Sequence, residues 1–158
     1  MVSTEVESEE LRLQQVTSQN LKSVKTLVSS IFPVSYSDKF YQECLDNELV
    51  RVIIRSDEAI AIVAVKPETF SGRTVLYIRS FGVHPRYRES GIGTFLMKFI
   101  EDKCKSLDLA VAMLHVQTSN KTAIRFYEKR GFATETLIPR YYQRCDPPDA
   151  FVMKKYFL

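Results

Sequence analysis

Arg88-x-x-Gly91-x-Gly93 stands between an apolar strand pattern and an amphipathic helix pattern, within "HPRYRESGIGTFLMKFI" (84–100). Two glycines one residue apart strip side chains from the backbone and let another group approach it closely. The N–H groups of a helix's first turn have no partners inside the helix, and the macrodipole adds partial positive charge there. A pyrophosphate suits such a place, held by the loop Glu89, Ser90, Gly91, Ile92, Gly93 and Thr94 with Arg86 and Arg88 as charged neighbours. Two other phosphate loops are excluded by single residues. A Walker loop needs lysine where Thr94 stands, and a dinucleotide fingerprint needs a third glycine where Leu96 stands. A helix start that merely carries glycine is the competing reading.

The elements around this loop follow from periodicity. "LRLQQV" (11–16) reads as a first strand, and Leu21, Val24, Leu27, Val28 and Ile31 recur at helical spacing behind Ser18 as cap, until Pro33. "SDKFYQECLD" is a second short helix. "LVRVIIR" and "AIAIVAV" form a hairpin, "KPETFSGR" a loop, and "TVLYIRSFGV" (74–83) a central strand. Ile92, Phe95, Leu96, Phe99 and Ile100 line one helical face. "LAVAMLHVQ" (109–117) is a further strand, "SNKTAIRFYEKRG" a capped helix ending at Gly131, and "FATETLI" and "AFVMKKYF" the closing strands. The fold class is α/β.

Composition narrows the function classes. The 158 residues, 45% hydrophobic and 26% charged, fit one soluble domain over 11–158 behind a flexible acidic segment, 1–10. That segment, "MVSTEVESEE", has no apolar core for a signal peptide, and Val2 excludes N-myristoylation. A net charge of +3 from scattered basic residues does not argue for nucleic acid, and "AIAIVAV" is too short to span a bilayer. Cys44, Cys104 and Cys145 form no CxxC pair, so neither a disulfide framework nor a metal site is expected, and a reducing compartment is favoured.

Arg-x-x-Gly-x-Gly after a strand resembles the acetyl-CoA signature of the GNAT N-acetyltransferases, and "TSNKTAIRFYEKRGF" resembles their following segment. "FPVSYSDKFY" (32–41), "LYIRSFGVHPRYRESGIG" (76–93), "LHVQTSNKTAIRFYEKRGF" (114–132) and "YYQR" (141–144) narrow the resemblance to N-terminal α-acetyltransferases of the NatE type, over residues 11 to 157. The resemblance implies a GNAT fold, with a mixed central sheet of about seven strands and about four helices. It implies acetyl-CoA as co-substrate and protein N-terminal peptides as substrates, preferring Met followed by an apolar residue. NatA complex subunits and the ribosome are the implied partners, in the cytoplasm and also the nucleus.

Acetyl transfer to a peptide α-amine, whose pKa is about 7.7–8.0, needs a base to remove the remaining proton. The resemblance assigns this to Tyr77 and His115, acting through ordered water. Backbone N–H groups around Phe81 and Val83 polarise the carbonyl, with Gly82 allowing irregular backbone. The same resemblance implies that Asn120 contacts the cofactor and that Tyr127 protonates the leaving thiolate, the other reading of Tyr127 being packing in its helix. Phe32, Pro33, Val34 and Tyr36 wrap the first side chain, opposite Tyr141 and Tyr142, which bond the peptide backbone. Two departures from the relatives stand out. Arg79 replaces an apolar residue beside the peptide, and Glu89 and Ser90 replace a basic and an apolar residue of the cofactor loop. His84 is read as a surface residue without a role. Transfer to lysine or a small amine, and a weakly active or non-catalytic subunit of NatA, are the alternative readings.

Overall fold

β-branched and aromatic runs build a mixed sheet of six strands in the computed structural model, which describes residues 11–157. The strands are β1 (Val50–Arg55), β2 (Glu58–Phe70), β3 (Arg73–Val83), β4 (Val111–Gln117), β5 (Ala133–Ile138) and β6 (Ala150–Tyr156), ordered β1-β2-β3-β4-β6-β5. Four α-helices cover it: α1 (Leu21–Ile31), α2 (Asp38–Cys44), α3 (Ile92–Ser106) and α4 (Lys121–Lys129), with a 3-10 turn at Pro85–Tyr87. Among the six strands β3 and β4 alone pair in parallel; the other strand pairs are antiparallel. The acidic segment 1–10 lies outside the described residues.

Each sheet face carries its own core. Val24, Leu27 and Val28 of α1 and Phe40 and Tyr41 of α2 pack on Val50, Val52, Ile62 and Ala64. Ile92, Leu96 and Ile100 of α3 and Ile124 and Tyr127 of α4 pack on Ile53, Val63, Leu76, Ile78 and Leu114 of the other face. The helical periodicity of 92–100 therefore points at the sheet, as its spacing predicts.

Three local expectations are corrected. Residues 11–16 are not a seventh strand. Gln14 exchanges two 2.8 Å backbone bonds with Val52, and then Val16 leaves that edge to accept from Asp46 N and bury in the α1–α2 core. Residues 66–73 are not a loop, because the β2–β3 hairpin runs on to Phe70↔Arg73 and turns at Ser71 and Gly72 (φ 51° and 80°). Pro67 is tolerated because β2 has by then outrun β1, whose pairing ends at Val50↔Ala64. Ser18 does not cap α1; Thr17 and Asn20 bond each other reciprocally at its start, Thr17 N to Asn20 Oδ1 at 2.8 Å.

Candidate active site

β3 and β4 pair only at Leu76↔Ala112 and Tyr77↔Met113 and then diverge, leaving an opening between two central strands. His84 N donates to Ile60 O at 2.8 Å, so by alternation along the strand Gly82 also faces β2. The N–H groups of Phe81 and Val83 therefore point into the opening, free of the sheet ladder. The irregularity expected at Gly82 lies instead at Arg79, where Ala64 pairs with Ser80 and Val65 with Ile78, leaving Arg79 bulged. Gly82 answers to packing. A Cβ there would lie 2.6 Å from Ile31 Cδ1 and 2.8 Å from Phe32 Cζ, where the end of α1 presses on β3.

A groove of about 780 Å³ runs from this opening between the 87–94 loop and α4. Phe81, Gly82, Val83, Arg88, Glu89, Gly91, Gly93, Thr94, Asn120 and Tyr127 line it, as the sequence places them. Arg86, Ser90 and Ile92 do not. Arg86 sits on the turn capped by His84, whose Nδ1 accepts from Arg86 N, so His84 has a local structural part after all. Ser90 Oγ donates to the Tyr87 carbonyl, and Ile92 is 1% exposed in the core. Gly91 adopts φ 86° with no atom within 4 Å of a would-be Cβ, whereas a Cβ on Gly93 would lie 2.8 Å from Phe126 Cε1 of α4. The first glycine serves backbone conformation and open space; the second serves helix packing.

Arg88 Nε donates to Val83 O at 3.1 Å, closing the end of the opening. Asn120 is the N-cap of α4, its Oδ1 accepting from Ala123 N. Sequence reasoning missed Tyr87, Thr122, Arg125, Phe126, Lys129 and Arg130 on this groove. Arg125 and Lys129 stand four apart on α4, a spacing that carried the signal. Arg130 stacks on Phe126 at 3.7 Å and donates to Thr94 Oγ1 at 2.8 Å, joining α4 to α3.

A second cleft of about 290 Å³ meets the groove at Phe32, Pro33, Phe81, Asn120, Ala123 and Tyr127, which line both. It gathers Phe32, Pro33, Val34, Tyr36, Tyr77, Arg79, His115, Tyr141 and Tyr142, all expected, with Ser80, Gln117 and Cys145, which were not. Tyr77 Oη lies 2.7 Å from His115 Nδ1, a direct contact rather than one through water. Tyr141 stacks flat on His115, centroids 4.1 Å apart at 8°, with its hydroxyl 3.5 Å from that of Tyr77. Burial, then the Tyr141 hydrogen bond, pushes the Tyr77 phenol far up, and burial lowers the His115 imidazole. Both rings are therefore neutral at pH 7. The His115 tautomer sets the direction of the bond: with the proton on Nε2 the Tyr77 hydroxyl donates to Nδ1, and with it on Nδ1 the ring donates to the Tyr77 oxygen. Tyr36 Oη donates to Arg79 O at 3.2 Å; the buried Ser80 Oγ lies beside Tyr36 without reaching bonding geometry.

The sequence profile of the Acetyltransferase (GNAT) family matches residues 21–132, which contain both the glycine loop and the Tyr77–His115 pair. The chain belongs to the GNAT acetyltransferase family. It is 38% identical over 147 residues to N-alpha-acetyltransferase 50 of Danio rerio, covering 92% of this chain and 88% of that protein. Among solved structures it resembles Arabidopsis thaliana Naa50 in complex with the bisubstrate analogue CoA-Ac-MVNAL. That match has a TM-score of 0.83 and 34% identity, covering 94% of this chain and all of the other.

For a GNAT chain, the groove's chemistry can be tested against acetyl-CoA on residues alone. The open backbone at Gly91, the start of α3 and the cations Arg88, Arg125 and Lys129 suit a phosphate-bearing carrier. The unladdered N–H groups of Phe81 and Val83 sit where the groove reaches the second cleft. The residues present fit the group. Glu89 (φ 61°) is, among the described residues, the one acidic residue lining the groove.

Proposed function

We propose that this chain acetylates the α-amine of protein N-termini with acetyl-CoA as co-substrate, preferring Met followed by an apolar residue. The Tyr77–His115 contact, in a cleft that opens onto the cofactor groove, carries this reading. The Tyr77 oxygen takes a proton from the incoming ammonium as its own hydroxyl proton passes to His115 Nδ1, so no free phenoxide forms. The neutral amine then bonds the acyl carbon, the carbon–sulfur bond breaks, and the proton that the new amide nitrogen sheds passes to the departing thiolate, leaving amide and thiol. Phe81 and Val83 N–H groups stabilise the charge developing on the acyl oxygen.

Tyr127 lines both clefts, and burial pushes its phenol far up. Complete proton transfer to a thiolate, whose ordinary pKa is about 8.5, therefore runs uphill. Tyr127 acts as a hydrogen-bond donor to the leaving sulfur. Phe32, Pro33, Val34 and Tyr36 form the wall for the first side chain, facing Tyr141 and Tyr142. The same reading includes association with NatA complex subunits at the ribosome, in the cytoplasm and nucleus; co-sedimentation of the chain with ribosomes checks it.

Acetylation of a peptide library, read by mass spectrometry, tests the function. Products confined to α-amines of Met-first peptides are expected. Acetyl on internal lysines would favour the lysine or small-amine reading, and absence of saturable acetyl-CoA binding the non-catalytic one.

A further inference from the structure

Residues 33–36, the wall of the second cleft, make no backbone–backbone hydrogen bond among the described residues. Side chains must hold this segment. Among the described residues its hydrogen-bonded tie to the sheet is the Tyr36 hydroxyl on the Arg79 carbonyl, at 3.2 Å. Phe32, Tyr36 and Phe40 follow one another in ring contacts of 5.7 and 4.5 Å, and the last of these rings meets the Arg79 guanidinium at 4.9 Å. Arg79 Nη2 then bonds Glu43 Oε1 on α2 at 2.7 Å. A bulge re-aims the side chain it carries, and here the bulged residue reaches α2 while its carbonyl holds Tyr36.

The geometry points to Arg79 as a positioning residue for the peptide, which ties the 33–36 wall to the sheet through Tyr36, Phe40 and Glu43. The inference rests on the reading of this cleft as the peptide site. Among the described residues Arg79 is the only one lining the cleft with a formal charge at neutral pH, and Glu43 neutralises it. Its side chain is 19% exposed and that of Glu43 35%, so solvent screens the pair only in part. The Arg79 hydrogen bond holds the Glu43 carboxyl below the usual carboxylate range. A hydrocarbon at position 79 would fill space beside Tyr77 but could not reach across to α2 with a bond.

Two measurements on Arg79→Met and Glu43→Gln test this: steady-state acetylation of a Met-Leu peptide, and amide hydrogen exchange over residues 34–40. The peptide KM should rise about two- to fivefold in Glu43→Gln, and up to about tenfold in Arg79→Met, which also loses the contact with Phe40. Turnover number and acetyl-CoA affinity should stay within about twofold, and exchange at the Phe40 amide, which bonds Ser37 Oγ at the start of α2, should quicken in both. Exchanging the charges, Arg79→Glu with Glu43→Arg, should recover most of the peptide KM. Raising salt should raise the parent's peptide KM more than that of Arg79→Met. Unchanged KM and exchange in both variants would overturn the inference. So would a KM change confined to peptides with an acidic second residue, which would make Arg79 a reader of substrate charge. If the parent acetylates no Met-first peptide, the proposed function fails, while the exchange data still decide the tie.

Discussion

The hydroxyl of Tyr77 bonds Nδ1 of His115 directly, at 2.7 Å, across two strands whose parallel pairing ends at Tyr77↔Met113. The last rung of the β3–β4 ladder thus sets the distance between the two rings, and the divergence beyond it leaves room for substrate. Because the bond is direct, the proposed mechanism makes the two residues one proton path. His115→Ala and Tyr77→Phe should each lower turnover about 10²–10⁴-fold, and the double variant little further. Acetyl-CoA affinity should be unchanged, and alkaline pH should partly restore His115→Ala as more α-amine is already neutral. Parent-like turnover of His115→Ala at pH 7 would remove it from the chemistry.

The same imidazole predicts a stability profile. Burial lowers the His115 pKa below its ordinary value of 6.5, so on acidification the unfolded chain takes up this proton first. This contribution is fully present above about pH 6.5 and is lost as pH falls from there through the lowered folded value. Melting temperatures of the parent and His115→Gln should therefore converge as pH is lowered through that window. A constant difference between them would contradict the burial argument.

The two glycines of the loop should fail differently. Gly91→Val should stay folded but lose acetyl-CoA binding, since its side chain enters open groove and its φ of 86° becomes strained. Gly93→Ala should destabilise the fold by about 1–3 kcal/mol, because its Cβ meets Phe126 at 2.8 Å. Adding Phe126→Leu should restore the melting temperature of Gly93→Ala. Rescue of Gly91→Val by the same change would reverse the assignment.

Phe32 bears on both the substrate wall and Gly82. Phe32→Ala should raise the KM for Met-Leu peptides by an amount worth about 1–3 kcal/mol. Gly82→Ala, whose Cβ would lie 2.8 Å from Phe32 Cζ, should shift the same ring and raise the same constant. A preference of the parent for peptides beginning with Ser or Ala would refute the pocket assignment.

Thiol chemistry separates the cysteines. Cys44 and Cys104 are buried, and burial pushes each thiol up to about 11. Cys145 is half-buried and lines the peptide-side cleft. A bulky thiol reagent at pH 7.5 should label Cys145 first, and a Met-Leu peptide should slow it. Faster labelling of Cys44 or Cys104 would contradict their burial.

Sequence alone marked the fold class, nearly every element, and many of the residues that meet at the two clefts, because period, cap and loop chemistry are local. Helical spacing at 92–100 and β-branched runs at 50–65 state which face each element buries before any partner is known. The short motifs around Gly91, Tyr77 and "FPVSY" pointed to acetyl transfer for the same reason: each is a contiguous stretch. The errors also had local causes. Pro67 and Gly72 look like loop residues until the free edge of β2 and a two-residue turn accommodate them.

What only the tertiary structure decided concerns neighbours far apart in sequence. Nothing near Gly93 announces Phe126, and nothing near Gly82 announces Ile31 and Phe32, so three glycines within 82–93 conceal one open stretch of backbone and two packing contacts. Arg79 reads as a departure in a peptide pocket until the β3 bulge turns it toward Glu43, 36 positions earlier in the chain. The direct Tyr77–His115 bond likewise depends on the register of two strands separated by α3. Residue type is written along the chain; distance across a sheet is set by register, bulge and packing, which only the folded chain possesses.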